Sequence, residues 1–162
     1  MARLARNLVS HGLVAVLGFM AGIYALPILV AQSHTPAQAS LQLAQDAAHY
    51  QGTFRRELAG SDPLHWAQGR LFVGDHAIAM VGEMAPGPDY KLYLSPTFVE
   101  TEADFLALKD KMALVGDVRS FDSFVISVPG HVNPDTYTTA IIWCESFGKF
   151  ISAAQYQGSA GL

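Results

Sequence analysis

Gly12 to Ala31 reads GLVAVLGFMAGIYALPILVA, twenty residues without a charged side chain. About 20 apolar residues at 1.5 Å rise cross the roughly 30 Å hydrocarbon core of a bilayer. Leu8 and Val9 extend the run, so the segment expected to contact lipid is residues 8–31, with Ser10 and His11 near one interface. Pro27 lies near the far end, where few backbone bonds are lost. Arg3 and Arg6 precede the run and the next basic residue is Arg55. That asymmetry predicts a cytoplasmic N-terminus and residues 32–162 on the extracytoplasmic side, periplasmic or extracellular. A cleaved signal peptide is the competing reading, with Ala37-Gln38-Ala39 as a small-x-small site and a product beginning at Ser40. Signal cores usually hold 7–15 apolar residues, so the length of this run favours a retained anchor. Gly18 and Gly22 form a G-x-x-x-G pair, a spacing also common in ordinary membrane helices.

The remaining chain divides by texture. Residues 32–49 are rich in Ala and Gln and predict a polar stalk, with one short helix started by Pro36. From Tyr50 onward, short apolar runs alternate with Gly, Pro, Asp and Ser. Strands are predicted at Gly52–Glu57, Trp66–Val73, Ala77–Glu83, Tyr90–Leu94, Ala113–Val118, Phe121–Val128, Thr139–Cys144 and Lys149–Tyr156. Strands at this spacing indicate an antiparallel β-sandwich or barrel-like domain rather than βα units. Phe124–Val128 and Thr139–Cys144 are largely apolar on both faces, the pattern of strands covered on two sides. A helix of two or three turns is expected between Glu102 and Met112, with Thr101 as its cap and Asp104 three residues on. The predicted order is anchor 1–31, stalk 32–49, β domain 50–157 and flexible tail 158–162.

Charge narrows the function classes. Residues 32–162 carry 8 Lys/Arg against 14 Asp/Glu, which argues against binding nucleic-acid phosphates. The sequence lacks H-E-x-x-H, G-x-S-x-G and Walker motifs. The six histidines have no close ligand spacing, and His65, His76 and His131 are expected in solvated loops. Glu100, Glu102 and Asp104 stand where a helix N-terminus favours negative charge, which accounts for them structurally. No independent enzymatic activity is expected.

Cys144 is the single cysteine. It ends a predicted strand in which period 2 places Ala140, Ile142 and Cys144 on one face and Thr139, Ile141 and Trp143 on the other. One reading is a small buried apolar residue. The other starts from export: a lone thiol in an oxidising compartment is a reactive thiol, a metal or haem ligand, or half of an intermolecular disulfide. Glu145 would raise the thiol pKa if the two come close, and Lys149 would offset it if a final hairpin brings it across.

The order of motifs resembles a known family. Gly87-Pro88-Asp89-Tyr90-Lys91-Leu92-Tyr93-Leu94 is a Gly-Pro-Asp turn feeding a strand. Phe124–Pro129 and Tyr137 follow, then Ile141-Ile142-Trp143-Cys144-Glu145-Ser146-Phe147 and Phe150-Ile151-Ser152-Ala153-Ala154. About residues 50–157 resemble the DM-thirteen domain, also called the electron-transfer DM-thirteen domain. The resemblance implies an exported β-sandwich with a role in electron transfer. It implies that Cys144 acts as a free thiol or as the ligand of a prosthetic group such as haem. Asp89 and Trp143 match family motifs without acquiring a chemical role. A second haem ligand would come from Met80, Met84 or His76, and the electron from a separate redox partner protein. The alternative class is a non-catalytic envelope domain that binds a small ligand or a protein through its sandwich loops.

Overall fold

The computed structural model describes residues 2–31 and 36–158. Residues 32–35 of the expected stalk and 159–162 of the expected tail lie outside it. A first helix, α1 (Ala2–Ala31), contains the apolar run. Its Ala2–Leu26 stretch is long and apolar enough to cross a membrane, and none of it is buried in protein. Gly18 and Gly22 lie on its open surface with nothing packed against them.

Among the described residues eight strands follow, all paired antiparallel. One sheet has the order β1 (Tyr50–Phe54), β2 (Ala67–Val73), β3 (Ala77–Met84), β6 (Phe124–Ser127). The other has the order β5 (Ala113–Val118), β4 (Tyr90–Ser95), β7 (Thr139–Cys144), β8 (Lys149–Gln155). The sheets face each other, with β1 against β8 at one side and β5 against β6 at the other. This is a sandwich closed almost like a barrel, as the strand spacing predicts. Leu71, Ile78, Met80, Leu92, Ile142 and Ile151 fill the space between the sheets.

Two short helices cover the outer faces. α2 (Gln38–Asp46) places Leu41 and Ala44 on Phe72 and Ala79 of the first sheet. α3 (Glu102–Leu108) begins as its cap residues predict: Thr101 Oγ1 accepts from the Asp104 amide at 3.1 Å. It buries Phe105 on the second sheet, and a 3₁₀ turn, Lys109–Lys111, completes it. β7 is therefore buried along its whole length, as its two apolar faces require. β6 is not. It is shorter than expected and sits at the end of its sheet, so Val125 and Ile126 are only half-buried.

Candidate functional site at the Cys144 end of the second sheet

Tyr90 and Cys144 are register partners at the same end of β4 and β7. The turns beside them are tied together. The Glu145 amide donates to the Asp89 carbonyl at 3.0 Å, and Ser146 Oγ donates to Asp89 Oδ2 at 3.1 Å. The Gly-Pro-Asp turn and the Trp-Cys strand end, far apart in sequence, are thus one structural unit. Gly87 is required there because a Cβ would collide with the Tyr90 ring and hydroxyl. Gly148, at φ +59°, closes the β7–β8 hairpin in the left-handed region that favours glycine.

Cys144 points into the space between the sheets and is 1% exposed. It nonetheless forms part of the wall of a cavity of about 190 Å³, with Leu64, His65, Pro86, Tyr90 and Phe147 around it and part of α1 as the outer wall. Burial pushes the thiol up. The backbone N–H groups of Phe147, Asp89 and Ser146 work the other way, and the Asp89 carboxylate adds to the upward push. The balance leaves a protonated thiol at neutral pH. Burial also raises Tyr90, whose hydroxyl stays a neutral donor.

His65 departs from its expected place in a solvated loop. It is half-buried, lines the Cys144 cavity, and its Nδ1 lies 2.8 Å from Asp62 Oδ2. That hydrogen bond holds the Asp62 carboxyl below its usual range. His76 and His131 are exposed as expected. The proposed influences of Glu145 and Lys149 on the thiol are not realised. Glu145 turns to the outer face of the sheet, the acid acting on Cys144 is Asp89, and Lys149 pairs with Glu102 at 2.7 Å.

The residues around Cys144 do not fit haem. The sulfur is enclosed, and the cavity is below the roughly 300–1,000 Å³ of ordinary small-molecule sites. Met80 and Met84 are packed in the core. His76 precedes β3, whose Met84 end faces the Cys144 turns; eight strand steps of ~3.4 Å put it roughly 27 Å from that end. Among the described residues no group of three or more His, Cys, Asp or Glu could hold a metal ion.

On the outer face of the same sheet lies a cluster that sequence reasoning missed. Glu145 accepts from Tyr93 Oη, and both its oxygens lie 2.8 Å from Lys109 Nζ. Tyr93 meets Phe105 edge-on at 5.2 Å, and Phe105 stacks on Trp143 at 4.0 Å. Trp143 Nε1 is buried without a hydrogen-bond partner of bonding geometry, yet it faces Glu145 and favours its charged form. Burial pushes Glu145 up, but Lys109 and Tyr93 outweigh it and hold the carboxyl below its usual range. Burial and then the Glu145 hydrogen bond raise Tyr93. The one local signal was alternation, which sets Tyr93 on the face opposite Leu92 and Leu94.

No curated protein and no solved structure matches this chain. The model of the family described as electron transfer DM13 matches residues 58–156. The match spans every strand after β1 and joins the Gly-Pro-Asp turn to the Trp-Cys strand end, so the chain belongs to the electron transfer DM13 family.

Proposed function

We propose that the protein is a membrane-tethered, extracytoplasmic redox accessory acting through the Cys144 thiol, with a separate protein as its electron partner. The apolar, unburied α1 supports the tether, and Arg3 and Arg6 ahead of it support a cytoplasmic N-terminus. Residues 1–31 then serve as anchor and 50–157 as the exported domain, with 32–49 joining them and their helix α2 packed on the domain's first sheet. A reporter fused after Leu162 is expected to be active only outside the cytoplasm; activity inside it would reverse the topology.

One observation carries the reading: in an electron-transfer family, the sole cysteine is enclosed by the core yet forms the wall of a cavity with Tyr90 and His65. A protonated, enclosed thiol is a poor nucleophile, because exchange needs a reachable thiolate. Oxidation of Cys144 instead moves one electron to a one-electron acceptor on the partner and releases one proton to water. Voltammetry of the full chain on an electrode tests this. The response of the native protein is expected to disappear in Cys144→Ser with folding retained. An unchanged response, with a thiol that alkylates only on unfolding, would overturn it. The same burial favours the second reading, a non-catalytic binding sandwich in which Cys144 only packs.

A further inference from the structure

The cluster on the outer face of β4 and β7 has no packing reason to be polar. Sheet and helix there are otherwise aromatic and aliphatic: Tyr93, Val99, Phe105, Ile141, Trp143 and Phe150. Bringing a carboxylate and an ammonium against such a surface is costly unless each is paired, and apolar replacements often serve stability as well. Here Glu145 is 25% and Lys109 35% exposed, and both Glu145 oxygens are committed to Lys109. Into this pair Tyr93, itself buried, directs its hydroxyl.

We propose that Tyr93, with Glu145 as its proton acceptor, is a proton-coupled one-electron site of this domain. It deepens the redox reading above and rests on it. A phenol that loses an electron becomes a far stronger acid than any carboxyl group, so its oxidation at neutral pH runs faster with a base already in contact than with water as the acceptor. Glu145 is that base. In the step, Tyr93 gives one electron to an outside one-electron oxidant. The O–H bond breaks, the proton passes along the existing hydrogen bond to Glu145, and a neutral tyrosyl radical and a neutral carboxyl remain. Reduction returns one electron to the oxygen and the proton from Glu145 to it. Lys109 keeps its charge throughout and holds the carboxyl in place at 2.8 Å. Phe105 and Trp143 extend the aromatic contact from Tyr93 across the sheet to the residue immediately before Cys144. The two faces of β7 then hold the two ends of one short path.

The test uses the full chain in detergent, with photogenerated tris-bipyridine ruthenium(III) as the oxidant and electron paramagnetic resonance as the readout. A tyrosyl signal is expected in the native protein and reduced in yield in Tyr93→Phe. In Glu145→Gln the oxidation of Tyr93 is expected to slow on the order of 10²-fold, the scale of a positioned proton acceptor, and its solvent deuterium isotope effect to change. A purely structural cluster would leave that isotope effect unmoved. A tyrosyl signal of undiminished yield in Tyr93→Phe, or a Glu145→Gln protein oxidised at the native rate with the native isotope effect, overturns the proposal. Circular dichroism and thermal unfolding establish that both variants fold. Cys144→Ser separates the two claims. If it abolishes the electrode response while Tyr93→Phe gives no change in radical yield, the thiol reading stands and this one falls. If Cys144→Ser is silent and Tyr93→Phe lowers the radical yield, the domain's redox site is Tyr93 and the thiol reading falls.

Discussion

The outer faces of the two sheets answer the same requirement in different ways. Each carries an apolar patch that must be covered. On the first sheet, α2 does so with Leu41 and Ala44 against Phe72 and Ala79, an apolar contact throughout. The polar pairs near it, Gln68 with Glu83 and Arg70 with Gln51, lie in solvent. On the second sheet, α3 and its 3₁₀ extension bring an aromatic stack and a charged pair together. Covering a face needs only the first solution. The second holds polar groups where water is scarce, and it holds them on the strand that also carries Cys144. Chemistry is better sought where charge has been drawn into an apolar surface than where the surface is simply closed.

The largest expected effect tests whether the second face is the more strongly built. Trp143 is 1% exposed and stacked on Phe105. Trp143→Ala removes the stack and opens a cavity, at a cost of about 3–5 kcal/mol. Leu41→Ala, on the first face, is expected at the low end of the large-to-small range, about 2 kcal/mol, because α2 is short and borders solvent. Urea unfolding of the two variants in detergent checks both. Equal losses would erase the difference between the faces.

How far the sequence anticipates this difference depends on the range of the interaction. All eight strands are encoded by short-range alternation and by turn residues, and Thr101 with Asp104 encodes the start of α3. Alternation also assigns Trp143 and Cys144 to opposite faces of β7. What remains hidden is which distant side chain meets which. Glu145 is next to Cys144 in sequence, yet the chain turns it toward Lys109 and Tyr93, two elements away. Asp89 and Ser146 meet only because β4 and β7 are neighbours. His65 reads as a loop residue because nothing local indicates that its turn folds over the end of the second sheet. The retreat of β6 from full burial follows from its edge position, which depends on sheet order rather than on its own residues.

A smaller effect, with a defined pH dependence, belongs to Glu145 itself. Glu145→Gln keeps the shape but removes the charge that Lys109 pairs with. The expected loss at neutral pH is about 1–2 kcal/mol, below that of breaking a fully buried pair. The folded-state pKa of Glu145 lies below its ordinary 4.5. Its contribution is therefore complete above 4.5 and disappears as pH falls through the folded value. Native and variant stabilities should converge in that acid range. A difference that persists unchanged to low pH would mean that the glutamine is misplaced and that the lost charge is not the cause.

The smallest effect sets the Glu145 pair against one on the same sheet whose carboxylate, Asp117, is the more exposed. Lys91 Nζ lies 2.8 Å from Asp89 Oδ1 and 2.7 Å from Asp117 Oδ1, and Asp117 also meets Arg119 at 2.7 Å. Asp117 is 40% exposed, so screening by water limits what these contacts contribute. Lys91→Ala is expected to cost about 0.2–1 kcal/mol. Hydrogen bonds from Lys91 and Arg119 hold Asp117 below its ordinary 3.8, and hydrogen bonds to Asp117 and Asp89 raise Lys91 above 10.5. The first contribution is present above 3.8 and lost as pH falls below it. The second is present below 10.5 and lost as pH rises through the folded value. The stability difference between native protein and Lys91→Ala should therefore form a plateau with an acid and an alkaline edge. Molar salt shortens the Debye length to about 3 Å, so the height of that plateau should fall. The Glu145→Gln difference, with its partners against Phe105 and Trp143, should hardly change under the same salt. If salt lowers both in proportion, the Glu145 cluster is as solvated as Lys91, and the contrast between a surface that is merely closed and one that encloses charge has no physical basis.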